Sequence, residues 1–168
     1  TASHIVYVSN FGSNDITVLD RSGKNKDNPQ TISLDSSGAN AANSKYPYNA
    51  SSLTVNNKTH IVYVANFKNN SVSVINHAEN AKNAIKTISV GEKPSGIAVD
   101  SALNKLYVTN QGDDTVSVID ISQVNNPKEV KRVDVGRSPV YVDINPVTHM
   151  VFVANFYGDS ITVIDGTR

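Results

Sequence analysis

The stretch LYVTNQGDDTVSVID, residues 106–120, decides the fold, because the rest of the chain repeats it. It contains two runs of strand-forming residues, 107–111 and 116–120, separated by a short polar turn, as in a β-hairpin. The first run recurs at 7–11, 63–67, 107–111 and 152–156. The steps between these copies are 56, 44 and 45 residues, which identifies an internal repeat.

Three further runs complete the repeat unit. The hairpin partner recurs at 16–20, 72–76, 116–120 and 161–165, a third run at 31–34, 87–90 and 132–135, and a fourth at 53–56, 97–100 and 142–145. Each unit therefore holds four short strands, which we label A to D from axis to rim, in about 44 residues. This period and strand number predict an all-β fold, a β-propeller of four-stranded antiparallel blades.

Composition supports an all-β fold and excludes several classes of site. The chain has 168 residues with 15 basic and 15 acidic side chains, so its charge predicts neither nucleic acid nor an anionic membrane as a partner. The absence of cysteine excludes disulfides, Cys-ligated zinc and thiolate chemistry. No apolar run approaches the roughly 20 residues that span a bilayer, so we expect no membrane insertion. The chain opens on Thr1 without a visible signal peptide, which suggests a processed or excised polypeptide.

The repeated phrases resemble a known family. Tyr-Val-Thr-Asn at 107–110, Val-Ser-Val-Ile-Asp at 116–120 and Val-Gly-x-x-Pro at 90–94 and 135–139 are similar to the YVTN β-propeller repeat. The resemblance covers nearly the whole chain. It implies a propeller, commonly with seven blades, that is extracellular, periplasmic or on a cell surface.

Counting strands predicts an incomplete ring. The chain reads B-C-D, then A-B-C-D twice, then A-B-C, which makes 14 strands, or about 3.5 blades, in one partial domain over residues 1–168. The repeat units run roughly over 4–50, 51–94, 95–139 and 140–168. An open arc would leave two apolar blade faces bare. We expect the remaining blades of a longer chain, a second copy or a sheet of some partner to cover them.

The loops that join D to A and B to C share one face of a propeller, where we expect the ligand site. Candidate partner-binding residues there are Tyr46 and Tyr48, in a first D-to-A loop with about 12 extra residues, and Phe156 and Tyr157 after a B strand. This pattern also predicts that Tyr141, on an A strand where other units have Ser52 and Gly96, reaches the channel mouth. The alternative is that the recurring aromatic residues fill gaps between blades and that the long loop is simple length variation.

No catalytic, metal or cofactor site emerges from the sequence. His4, His60 and His149 occupy one repeat position on different blades, too far apart for a shared metal, so we interpret them as solvated turn residues, and His77 stands alone. The Asn that closes each B strand is predicted to bond turn backbone. The inner strands end in Asn56, Asp100 and Asn145, whose repetition suggests a structural role.

Three glycosylation sequons begin at Asn49, Asn57 and Asn69. Chance explains most sequons in a chain with 21 Asn residues, but all three are expected in or beside loops.

Two functions compete. The first is a non-enzymatic binding module or cell-surface scaffold for a protein, small-molecule or glycan ligand, because no catalytic constellation is visible. The second is part of a propeller enzyme of lactonase-like, lyase-like or redox type. For that enzyme the inner strands offer only a few polar groups, namely Asn56, Asp100, Asp143 and Asn145.

Overall fold

A computed structural model describes residues 5–13, 15–20, 28–34, 50–76 and 85–168. Tyr46, Tyr48, Asn49, His4 and His77 lie outside the described residues, so the predictions made for them stay predictions.

The described residues form fourteen strands in four antiparallel sheets. The strands are β1 Ile5–Asn10, β2 Asp15–Asp20, β3 Gln30–Ser33, β4 Ala50–Val55, β5 Ile61–Asn66, β6 Ser71–Asn76, β7 Ile85–Ser89, β8 Pro94–Asp100, β9 Lys105–Asn110, β10 Thr115–Asp120, β11 Lys128–Asp134, β12 Pro139–Ile144, β13 Met150–Asn155 and β14 Ser160–Asp165. Blade 1 comprises β1–β3, blade 2 β4–β7, blade 3 β8–β11 and blade 4 β12–β14. The predicted partial propeller, with two complete blades and two three-stranded ones, is confirmed.

The sequence runs map onto the strands in register. In each B–C hairpin the closing Asn pairs with the first residue of the C strand, as Asn110 does with Thr115. The inner A strands of blades 2, 3 and 4 each carry a β-bulge near their start, next to the D–A loop. A bulge re-aims the side chains beside it, so the first inner-strand residues of each blade turn toward the neighbouring blade.

Side chains on both faces of blades 2 and 3 are buried, because each of these blades packs between two others. Three apolar clusters fill the junctions between consecutive blades. We call the face toward the next blade along the chain the forward face and the opposite one the backward face. At the junction of blades 3 and 4, for example, Tyr107 and Val116 of the forward face pack with Val151 and Val153 of the backward face.

The same repeat positions are exposed at the two ends of the arc. On the forward face of blade 4, Ile161 is 69% exposed, whereas its counterpart Val116 in blade 3 is 0% exposed. On the backward face of blade 1, Val6 is 44% exposed, whereas its counterpart Val62 is 0% exposed. The repeated contact surface therefore lacks a partner at both ends within the described residues.

Hydrogen bonds and close backbone contacts hold the inner strands together. Ser51 Oγ donates to the carbonyl of Pro94 at 2.8 Å, and Ser95 Oγ donates to the carbonyl of Pro139 at 2.9 Å. A Cβ at Gly96 would lie only 2.9 Å from the Val140 carbonyl oxygen. A small residue is thus required where one inner strand passes the next.

Candidate functional site

The D–A loops that precede blades 3 and 4 are held in fixed conformations on the face that they share with the B–C turns, which we call the loop face. Lys93 and Ser138 occupy the left-handed region at φ 52° and 53°. Their N–H groups donate to side chains of the preceding blade, Lys93 to Asn70 Oδ1 at 2.9 Å and Ser138 to Asp114 Oδ1 at 2.7 Å. These bonds offset the cost of an unfavourable backbone conformation.

The B–C turns of blades 3 and 4 anchor these two loops from the other side. Gln111 N–H donates to the Lys93 carbonyl at 3.1 Å, and Phe156 N–H donates to the Ser138 carbonyl at 2.8 Å. The loops are therefore attached to two blades at once. A site built on them is preorganised rather than formed from free loop ends.

The Asn that closes each B strand makes contacts other than those predicted. In blades 2, 3 and 4 its side-chain amide bonds two hydroxyl groups of the C strand, not turn backbone: Asn110 Nδ2 donates to Thr115 Oγ1 and to Ser117 Oγ, both at 2.9 Å. Asn66 and Asn155 repeat this arrangement. The Asx-turn prediction is wrong because the amide lies back over its own sheet. There it packs against Gly91, where a Cβ would overlap it.

A surface pocket of about 340 Å³ lies on the loop face across blades 2, 3 and 4. Its lining residues are Phe67, Lys93, Gln111, Gly112, Asp114, Arg137, Ser138 and Tyr157. Gln111 stands where the other blades have Phe, and its Nε2 donates to Ser138 Oγ at 3.1 Å. The shorter, polar side chain leaves space between the rings of Phe67 and Tyr157. The pocket thus combines two aromatic walls with two cations.

The charged side chains of the pocket differ in whether they already have a partner. Lys93 and Arg137 are exposed, and among the described residues neither forms an ion pair. The Asp114 carboxylate already accepts the Ser138 N–H. The lining holds two cations and this one anion, so its net charge is positive, which suits a ligand that carries a carboxylate or phosphate.

The A–B turns on the opposite face carry the repeated residues at the ends of the inner strands. The side-chain Oδ1 atoms of Asn56, Asp100 and Asn145 each accept two N–H groups of their own turn. Each turn closes on a residue with positive φ, namely His60, Asn104 and His149. The predicted structural role of the strand ends is visible in these hydrogen bonds.

His149 differs from the predicted solvated turn residue. Its Nδ1 lies 2.7 Å from Asp100 Oδ2, and the Asp100 side chain is only 3% exposed. Burial alone would raise the pKa of Asp100, but the Leu103 N–H, the His149 ring and the Ala102 N–H together lower it. The prediction failed because equivalent turns of blades 3 and 4 touch, and among the described residues only this junction brings a carboxylate to a histidine.

Comparison with known proteins places the chain. The family model described as "Lactonase, 7-bladed beta-propeller" matches residues 80–167, more than half of the chain. The chain belongs to this family of seven-bladed lactonase-type propellers. No curated protein matches the chain significantly.

Solved structures agree on the fold of this lactonase-family chain. The periplasmic gluconolactonase PpgL of Pseudomonas aeruginosa is 16% identical with a TM-score of 0.73, over 97% of this chain and 48% of that one. Streptogramin B lyase is 15% identical with a TM-score of 0.72, over 97% and 48%. Kuenenia stuttgartiensis hydrazine synthase is 26% identical with a TM-score of 0.60, over 71% and 33%. The chain spans half or less of the length of each of these three structures.

The predicted site residues of the lactonase-family chain are only partly brought together. Phe156 and Tyr157 form a 3₁₀ turn on the loop face, where their ring centroids are 5.0 Å apart, and Tyr157 reaches the pocket. Phe11 and Phe67 pack edge to face across blades 1 and 2 at 6.3 Å. Tyr141 does not line the pocket, because it lies on the forward face of β12.

Lys93 and Arg137 were not among the site residues predicted from the sequence. Both lie in the Val-Gly-x-x-Pro phrase, which served there only as a family signature. Both residues occupy positions of a repeated loop on the loop face that vary between the units, and this variation could have identified them. Constant positions maintain the blade, whereas variable positions are free to specialise.

Two of the three sequons lie in described turns. Asn57 is exposed in an A–B turn and Asn69 in a B–C turn, so both side chains are accessible, and their modification stays a prediction. Asn57 also borders a second pocket of about 380 Å³, whose apolar wall comes from Val55, Val99 and Ile144.

Among the described residues, no three His, Asp or Glu side chains are placed to hold a metal ion, and no helix is long and apolar enough to cross a membrane.

Proposed function

We propose that this chain contributes part of a lactone-hydrolysing site in a propeller enzyme and that the substrate is a sugar-acid lactone with a negatively charged group. The observation that carries the proposal is that the lactonase-family match, residues 80–167, includes Lys93, Arg137 and Tyr157 of the loop-face pocket. The finer resemblance to YVTN repeats stays a prediction.

The pocket supplies binding groups of the right chemistry for such a ligand. The Lys93 ammonium and the Arg137 guanidinium are charge-assisted hydrogen-bond donors for a phosphate or carboxylate. The rings of Phe67 and Tyr157 offer apolar surfaces for the C–H face of a sugar ring. These groups orient a lactone rather than attack it, so the reacting groups must lie beside the pocket.

The test compares hydrolysis of δ-gluconolactone and of its 6-phosphate by the intact polypeptide that contains residues 1–168. We expect Arg137→Gln to raise KM for the phosphorylated lactone by about 10- to 100-fold, the effect of losing a charge-assisted hydrogen bond, and to change the neutral lactone little. Lys131→Gln, which removes an exposed cation of β11 away from the pocket, is the matched control. Equal kinetics for wild type and Arg137→Gln on both lactones would reject this role of the pocket.

A binding module without chemistry is the second candidate function. It is favoured by the exposed Phe156–Tyr157 pair, since Tyr157 is 65% exposed. Exposed aromatic residues beside polar loops are typical of glycan- and protein-binding surfaces. Glycan or protein binding that is lost in Tyr157→Ser, without turnover of either lactone, would favour this candidate.

Further blades are part of the proposal, because the family is seven-bladed and the described residues form four sheets. The B and C strands of the bare forward face of blade 4 and of the bare backward face of blade 1 carry apolar residues of the two complementary halves of the repeated junction. They fit other blades of the same kind, in one polypeptide or in a second copy. A location outside the cytoplasm also stays a prediction.

A further inference from the structure

The inner strand of blade 4 breaks the repeat on its forward face. The two forward-facing positions are Ser52 and Thr54 in blade 2, and Gly96 and Ala98 in blade 3. In blade 4 they are Tyr141 and Asp143, and both side chains are exposed. A large phenol and a carboxylate thus replace small residues at the channel.

The small residues have a physical reason at the complete junctions. A Cβ at Gly96 would lie 3.0 Å from Tyr141 Cα and 2.9 Å from the Val140 carbonyl oxygen of the next inner strand. Ala98 is buried in the cluster that joins blades 3 and 4. The inner strands pass this closely at junctions where the forward positions carry only small, uncharged residues.

The hydroxyl that draws neighbouring inner strands together is also missing in blade 4. Ser51 and Ser95 each donate to a carbonyl of the next blade, at 2.8 and 2.9 Å. The equivalent residue in blade 4 is Val140, which has no donor. A following inner strand packed as closely as blade 4 packs on blade 3 would collide with Tyr141 and bury the Asp143 carboxylate. Burying a carboxylate without partners is strongly unfavourable.

The geometry of the strand directs both side chains to one place. Residues 141 and 143 are two apart on β12, so they project from the same face about 7 Å apart along the strand. The Ile144 N–H orients the Asp143 carboxylate by donating to its Oδ1 at 2.8 Å. Tyr141 lies three residues beyond Ser138, so the pair begins where the loop-face pocket ends.

We propose that the forward junction of blade 4 is a substrate cleft in which Asp143 is the general base and Tyr141 the carbonyl-binding residue of lactone hydrolysis. This inference rests on the proposed function. Asp143 removes a proton from water as the water oxygen bonds to the lactone carbonyl carbon, and the Tyr141 hydroxyl donates to the carbonyl oxygen. The tetrahedral intermediate collapses by breaking the bond to the ring oxygen. That oxygen takes the proton from Asp143, which leaves the open hydroxy acid and the free carboxylate.

The experiment measures kcat, KM and their pH profiles on δ-gluconolactone with the intact polypeptide. For Asp143→Asn, which preserves shape, we expect kcat to fall about 10²- to 10⁴-fold with the acidic limb of the profile lost. For Tyr141→Phe we expect a fall of about 10- to 100-fold with little change in KM. Asp134→Asn, an exposed carboxylate of β11, is the control and should match wild type.

A thermal melt separates this role from a purely structural one. If Tyr141 and Asp143 are only contacts between blades, the isosteric Asp143→Asn will lower the melting temperature and leave kcat unchanged, which overturns the inference alone. If the wild type is active and both variants keep full activity, the inference is overturned as well. Wild type that hydrolyses neither δ-gluconolactone nor its 6-phosphate overturns the proposed function together with this inference.

Discussion

The junction between blades 3 and 4 and the forward face of blade 4 carry different residues at the same repeat positions. At the first, Gly96 and Ala98 allow the inner strands to pass closely, and Ser95 joins them by a hydrogen bond. At the second, the same positions hold Tyr141, Asp143 and Val140. The comparison shows that a repeat protein carries its specialisation where a unit departs from the pattern of its neighbours.

The turns on the opposite face show a second departure of the same kind. Asn56, Asp100 and Asn145 all hold their own turns with one side-chain oxygen. Only Asp100 uses its other oxygen to bind the next blade, through His149. The shared bond maintains the repeat, and the added one makes the junction of blades 3 and 4 different from the others.

The largest expected loss of stability comes from placing the blade 4 inner-strand residue into blade 3. Gly96→Tyr places the blade 4 residue at a junction where the next backbone lies within 3.0 Å of the new Cβ. We expect a loss of about 3 kcal/mol or more of unfolding free energy, and a melting temperature lower by about 10 °C, because the strands must separate. The measurement is thermal unfolding followed by circular dichroism.

The reverse change is the matched control for Gly96→Tyr. Tyr141→Gly removes a side chain that is 61% exposed, so we expect a loss within about 1 kcal/mol. If the two variants lose equal stability, the forward positions of blades 3 and 4 are equivalent, and the proposed specialisation of blade 4 is wrong.

The sequence predicted the blades well because their determinants are local and repeated. Alternating apolar residues and hairpin turns recur four times, so the strands and their order followed from the period. The B-strand Asn was mispredicted although its partners lie in its own hairpin, because the sequence does not fix the direction of its amide. The contact of His149 was mispredicted because it depends on which elements meet in space. Lys93 and Arg137 were missed for the same reason, since their common pocket spans three blades.

The Asp100–His149 pair gives the junction of blades 3 and 4 a pH dependence. The pKa of Asp100 is lowered in the folded chain, so its contribution to stability is present above the unfolded pKa of about 3.9 and is lost as the pH falls through the folded value. We expect Asp100→Asn to cost about 1–2 kcal/mol at pH 6, where a charge-assisted bond is lost, and much less at pH 3. Urea unfolding at the two pH values measures both.

Asn145→Asp is the control for the pH effect, since it places a carboxylate on the same kind of turn in blade 4. A stability difference between wild type and Asp100→Asn that stays constant from pH 6 to pH 3 would show that the carboxylate charge has no part in the junction.

The smallest expected change in stability concerns Tyr107 of blade 3 and its counterpart Phe152 of blade 4. They occupy the same repeat position, but Tyr107 is 1% exposed and its hydroxyl has no hydrogen-bond partner among the described residues. Burial, with the nearby charges of Asp100 and Asp165, raises the pKa of Tyr107 to about 12. Tyr107→Phe copies the blade 4 residue and removes an unsatisfied polar group, so we expect stability at pH 7 to rise by up to about 1 kcal/mol.

The stability at alkaline pH provides a second measurement on the same variant. The folded pKa of Tyr107 exceeds the unfolded value of 10, so the folded state is fully favoured below pH 10 and loses stability as the pH rises toward 12. Tyr107→Phe should therefore lose less stability than wild type between pH 9 and pH 11. A loss of more than 1 kcal/mol at pH 7 would instead show that a water molecule satisfies the hydroxyl. The junction would then contain a hydrated polar contact at the position where blade 4 carries only a ring.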